Sequence, residues 1–122
     1  CASCNYPVTD LAQLIEITHK FELGYTYRLT GTTEENAMDK LPQRSVMANI
    51  DNIQCPVIFF QGGEDRVVPP SQPEAVYKAL KQKGIKTVMK TFAGEGHGFR
   101  KSETIMAVLS DEESFFKDAI AS

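Results

Sequence analysis

Two residues in this chain have the types and the spacing to move a proton between them. Asp65 ends the run Gln61-Gly62-Gly63-Glu64-Asp65, just after the apolar segment Pro56-Val57-Ile58-Phe59-Phe60. His97 follows 32 residues later, in Gly94-Glu95-Gly96-His97-Gly98-Phe99. A histidine that acts as general base needs a partner on Nδ1–H to hold one tautomer, which leaves Nε2 to take a proton from a nucleophile. Each signal alone is weak. An aspartate after a strand is more often a turn or capping residue, and a histidine between glycines is often an ordinary surface loop. Together, in the order acid then base, they are the candidate catalytic residues, with Asp65 the orienting acid and His97 the base. The expected third partner is a serine on a Gly-x-Ser-x-Gly turn. No such motif occurs in the 122 residues.

The elements around the pair must bring it together. Pro56–Phe60 is a continuous apolar run bounded by Pro and Gly-Gly, the pattern of a strand covered on both faces of a parallel sheet. Ser71 begins a helix, with Glu74 three residues on as a capping box. Ala75, Val76, Ala79 and Leu80 form its apolar stripe, and Gly84 ends it. Lys86–Phe92 alternates partially and is rich in β-branched residues, so it reads as the next strand, nearer an edge. A last helix runs from about Ser102 to Ala121, with Ile105, Val108, Leu109, Phe116, Ala119 and Ile120 inward. Upstream, Cys1–Val8 reads as the end of a strand and a loop closed by Pro7. Thr9-Asp10 caps a helix carrying Leu11, Leu14, Ile15 and Thr18. Glu22–Gly31 is aromatic and irregular, Glu34–Leu41 a short helix stopped by Pro42, and Ser45–Asn49 a turn. Strand, helix, strand, helix with short connections implies parallel βαβ units. In such a sheet functional loops gather at the carboxyl ends of the strands. If the two strands are neighbours, Asp65 and His97 emerge on one edge. Gly94, Gly96 and Gly98 supply the unusual backbone angles a tight histidine loop needs.

Composition bounds the rest. The formal net charge of −3 and pI near 5.4 provide no polycation for nucleic acid or an anionic membrane. No apolar run approaches the roughly 20 residues of a membrane span. Three cysteines cannot all pair within one chain. The Cys1-x-x-Cys4 spacing fits a redox pair or half a zinc site, but nothing supplies the other half. Free, buried or half-buried thiols in a reducing compartment, the cytoplasm, are the expectation. No metal site and no cofactor are expected.

Weaker candidates are set aside on chemistry. His19 beside Lys20 and Phe21 reads as solvent-facing or capping. Glu22 and Tyr25 could line a substrate side, where a carboxylate holds a peptide amine, or be plain helix surface. Asp111-Glu112-Glu113 reads as the solvated side of the last helix.

Longer motifs carry a family resemblance. Ile53 through Gly62, with Glu64-Asp65-Arg66-Val67-Val68-Pro69-Pro70, resembles the end of the catalytic domain of the prolyl oligopeptidase family of serine peptidases, in its acylaminoacyl-peptidase and dipeptidyl-aminopeptidase branches. Gly94 through Lys101 resembles that family's histidine loop almost residue for residue. Thr18-His19-Lys20-Phe21-Glu22, Tyr25 and Gly31 resemble the segment after its nucleophile-bearing helix. The resemblance spans essentially the whole chain and implies the C-terminal portion of an α/β-hydrolase fold, as one partial domain over residues 1–122. It makes Asp65 the triad acid and His97 the base, places the serine upstream of Cys1, and implies a peptide substrate for the parent enzyme and an inactive isolated chain. Two positions depart from the family: Val46 stands where a proline is usual, a change confined to a loop, and Gly63 replaces a larger residue, which implies a looser approach to Asp65. A carboxylesterase or dienelactone-hydrolase-like enzyme would use the same loops. A third reading is a non-catalytic domain that associates with itself through an exposed sheet edge or apolar face.

Overall fold

The computed structural model describes residues 1–18 and 20–122. His19, and the solvent-facing or capping role expected of it, lies outside the described residues. In chain order the elements are β1 (Ala2–Asn5), α1 (Leu11–Ile17), α2 (Lys20–Thr30), α3 (Ala37–Arg44), a 3₁₀ turn (Met47–Asn52), β2 (Val57–Gly62), α4 (Ser71–Gln82), β3 (Thr87–Phe92) and α5 (Ser102–Ala121).

The strands form one parallel sheet in the order β1-β2-β3, with Ala2 opposite Val57 and Val57 opposite Thr87. Central β2 is buried along its whole length, which is why its sequence is apolar without alternation. Its side chains still alternate between two cores. Val57 and Phe59 meet Val76 and Leu80 of α4, while Ile58 and Phe60 meet Val108 and Phe115 of α5. Burying side chains of this size stabilises the fold by about 1.5–3 kcal/mol each. The two helices therefore cover opposite faces, and the three-layer α/β architecture matches the sequence expectation.

Several local expectations are corrected. Ser71 and Glu74 do not form a capping box: Pro70 occupies the cap position of α4 without a side-chain hydrogen bond, and the Glu74 N–H bonds the Pro70 carbonyl. The fixed φ of Pro70 starts the helix one residue earlier than a serine cap would. The inner stripe of α4 is Gln72, Pro73, Val76 and Leu80, while Ala75 is exposed. On α5 the buried positions are Thr104, Val108 and Phe115, and Ile105, Leu109 and Ile120 are exposed. Apolar residues occur on more than one side of α5, so spacing alone misplaced its stripe. Asp111 and Glu112 are half-buried, and Asp111 pairs with Lys90 of β3, so this acidic run is not a purely solvated face.

The residues called irregular, 22–31, are mostly helical, as α2. Pro42 sits inside α3, which continues to Arg44; the lost hydrogen bond falls near the end of a short helix, where the cost is lowest. Asp10 does cap α1, its Oδ1 accepting from the Gln13 N–H, and Thr18 is the residue after the helix. Gly84 ends α4 at φ +77°. No described helix is long and apolar enough to cross a membrane.

Candidate active site

β2 and β3 are hydrogen-bonded neighbours, so the loops leaving their carboxyl ends emerge side by side. They also touch directly. The Gly63 N–H bonds the Phe92 carbonyl at 2.9 Å and the Glu64 N–H bonds the Glu95 carbonyl at 2.9 Å. A side chain on Gly62 would collide with the backbone carbonyls of Glu95 and Gly96, so only glycine allows this approach. Two loops separated by a helix and a strand are thereby locked face to face.

Within that junction His97 Nδ1 lies 2.9 Å from Asp65 Oδ2. A carboxylate oxygen accepts, so Nδ1 carries the proton and Nε2 is the basic nitrogen. The Asp65 side chain is fully buried, whereas that of His97 is 36% exposed. The other Asp65 oxygen accepts from the Val67 and Val68 N–H groups at 2.9 and 2.8 Å. Gln61 Nε2 donates to Oδ2 at 3.2 Å and to the Val68 carbonyl at 3.1 Å. The acid is thus held by the backbone of its own loop, by Gln61 of β2 and by His97. The looser approach expected from Gly63 is not found: Asp65 is enclosed and Gly63 is tied to β3.

The histidine loop is built differently. Gly94 and Gly98 take φ +72° and +98°, as a glycine-rich turn requires, whereas Gly96 has no positive φ and instead bridges to Gly98. Glu95 is buried, and its carboxylate accepts from the Arg100 and Lys101 N–H groups at 3.1 and 3.0 Å. Burial alone would raise this carboxyl. The two backbone donors, the Thr104 hydroxyl and the Lys101 charge outweigh it and hold the group below the usual carboxylate range. Glu95 therefore anchors the loop to the start of α5. An open recess of about 320 Å³ lies beside the imidazole, lined by Gly94, Glu95, Gly96, His97, Gly98, Arg100 and Lys101.

The structure brings together both sequence-predicted site residues, Asp65 and His97. Glu22 and Tyr25 lie exposed on α2, outside the two loops. Sequence reasoning overlooked three contributors. Gln61 was the amide closing an otherwise apolar strand, and Glu95 was a carboxylate in a glycine loop shortly before a helix. Tyr6, whose ring meets His97 edge-on at 4.9 Å, comes from the end of β1 and carried no local signal. All three cysteines are free, but the expectation of buried or half-buried thiols holds for Cys4 alone, since Cys1 and Cys55 are exposed. Burial, and then the neighbouring Cys55, raise the Cys4 thiol above its usual range, opposite to the shift that makes a thiol reactive.

Known proteins are similar to this chain in sequence and fold. A puromycin-hydrolyzing peptidase from Mycobacterium tuberculosis is 35% identical, with a TM-score of 0.88 over 97% of this chain and 18% of that one. The dipeptidyl aminopeptidase BIII of Pseudoxanthomonas mexicana is 30% identical over 80 residues, 66% of this chain and 12% of its own length. The acylamino-acid-releasing enzyme of Arabidopsis thaliana is 26% identical over 125 residues, covering 98% of this chain and 16% of its own. The chain thus spans less than a fifth of these relatives. The sequence profile of the prolyl oligopeptidase family matches residues 1–122 from end to end, and the chain belongs to that family.

Proposed function

We propose that this chain supplies the acid and the base of a Ser-Asp-His triad in a serine peptidase acting on short peptides. The observation that carries the reading is the 2.9 Å contact between His97 Nδ1 and a fully buried Asp65 carboxylate. That contact fixes the tautomer in which Nε2 is free to accept a proton. In the proposed reaction Nε2 takes the proton of a serine hydroxyl as it attacks the scissile carbonyl, then returns it to the departing amine. Water enters by the same route to release the acyl group. Asp65 stays ionised throughout and stabilises the imidazolium. The substrate class follows from the relatives' names, two of which specify removal of dipeptidyl or acylamino-acid units.

The 122 residues hold no Gly-x-Ser-x-Gly, and the serine of this proposal comes from outside them. A base without its nucleophile loses acceleration by factors of about 10³ or more. A fluorophosphonate probe tests the assignment. The full-length protein should label on serine, its His97→Ala variant should not, and residues 1–122 alone should remain unlabelled. Labelling of the isolated chain, or undiminished labelling of His97→Ala, refutes the proposal.

A further inference from the structure

We infer that Tyr6 is a positioning residue for His97, bracing the imidazole from the end of β1 and tying it to the aromatic core. The inference rests on His97 being the base. It draws on observations that the acid–base pair leaves unexplained.

The first is backbone conformation. Tyr6 has φ +40°, the one described residue other than glycine with a positive φ. Bulky side chains avoid this region, and such outliers persist where surrounding contacts over-determine them. The contacts here are specific. The Tyr6 N–H bonds the Phe60 carbonyl at 2.7 Å, which extends the β1–β2 ladder one residue beyond β1. The left-handed turn at that point redirects the chain and sets the phenol ring against the histidine loop.

The second observation is a continuous chain of rings. His97 meets Tyr6 at 4.9 Å and 62°, and Tyr6 meets Phe99 at 5.3 Å and 75°. Phe99 meets Phe92 at 5.3 Å, and Phe92 stacks on Phe60 at 6.4 Å. Phe60 is fully buried at the centre of the sheet. These are the edge-on and offset geometries that aromatic pairs prefer. Tyr6 is the link that joins a partly exposed imidazole to this core.

The third is what the hydrogen bond leaves free. The Asp65 contact fixes the position of Nδ1 but permits the ring to swing about the Nδ1–Oδ2 line. An edge-on neighbour limits that swing and so limits where Nε2 can point. The phenol hydroxyl makes no hydrogen bond among the described residues, so the bracing is assigned to the ring itself.

The test uses the full-length protein and the rate of fluorophosphonate labelling. Tyr6→Asn removes the ring while keeping a residue that tolerates positive φ. Tyr6→Gly does the same with no backbone restriction, and serves if the asparagine variant folds poorly. Tyr6→Phe keeps the ring, and Leu80→Ala weakens the opposite core as a stability control. Both ringless variants should label about tenfold more slowly at saturating probe with little change in half-saturation. Tyr6→Phe should stay within about twofold of wild type, and Leu80→Ala should lower the unfolding midpoint without slowing labelling. Ringless variants that label at the wild-type rate overturn the inference, as does slowing by Leu80→Ala that matches theirs at equal stability. His97→Ala separates the two readings: if it labels normally, the base assignment fails and this inference with it. If it is silent while Tyr6→Asn labels normally, only the inference about Tyr6 fails.

Discussion

The acid loop and the histidine loop meet at one junction but are held in opposite ways. Asp65 is enclosed by donors from its own neighbourhood, the Val67 and Val68 N–H groups and the Gln61 amide, all within a few residues. The His97 side chain has one hydrogen bond among the described residues, and its loop is secured through Glu95 to the start of α5 and through Tyr6 to the end of β1. A group that must stay ionised and still benefits from local enclosure. In the proposed triad the base needs an exposed face to accept and return a proton, so its restraints come from more distant elements.

The largest effect should follow from breaking the shared contact. Asp65→Asn in the full-length protein keeps the size of the side chain but presents an amide to Nδ1 and favours the wrong tautomer. Turnover should fall by about 10⁴-fold with little change in KM, and the unfolding midpoint should drop modestly because the new amide also faces the Gln61 Nε2 donor, as steady-state kinetics and thermal melts would show. A loss below tenfold would mean that the enclosure of Asp65 serves stability alone.

Gln61→Leu probes the enclosure without touching the imidazole. It deprives Asp65 Oδ2 and the Val68 carbonyl of a donor, and should cost about 1–3 kcal/mol in denaturant unfolding. The wild-type Gln61 Oε1 is itself buried without a partner among the described residues, so the lower half of that range is expected. Unchanged stability would show that the two backbone N–H groups suffice for the acid.

The smallest effect concerns the distant restraint and depends on pH. The folded-state value of Glu95 lies below its ordinary value of 4.5, so its contribution is present above that value. It is lost as pH falls through the lowered folded-state value. Wild-type protein should therefore lose stability more steeply than Glu95→Gln as pH drops below about 4.5, and the two melting curves should converge in acid. Parallel curves would remove Glu95 from the account of the histidine loop.

What was legible in the sequence divides along the same line. Asp65 and His97 stood out because each is a reactive type at the end of a recognisable strand, and β2 announced itself by apolar residues on both faces. The capping box at Ser71 failed because Pro70 already sets the backbone that a cap would set. α2 was missed because its aromatic and threonine residues are mediocre helix formers and Gly24 interrupts them, so local propensity argued against an element the fold nonetheless forms. Tyr6 was invisible because its role depends on a turn 91 residues away in sequence from His97, and no local spacing encodes that.

Gly62 has a consequence for how such a site can vary among related chains. The acid and the base are separated by α4, β3 and the connections between them, and connecting loops tolerate insertion. Because the backbone of one loop rests on Gly62 of the other, the reactive distance is set at the point of contact and not by the path between. Helix α4 could gain or lose a turn at its far end while the carboxylate and imidazole kept their separation. A single methyl group at position 62 would disturb both loops at once.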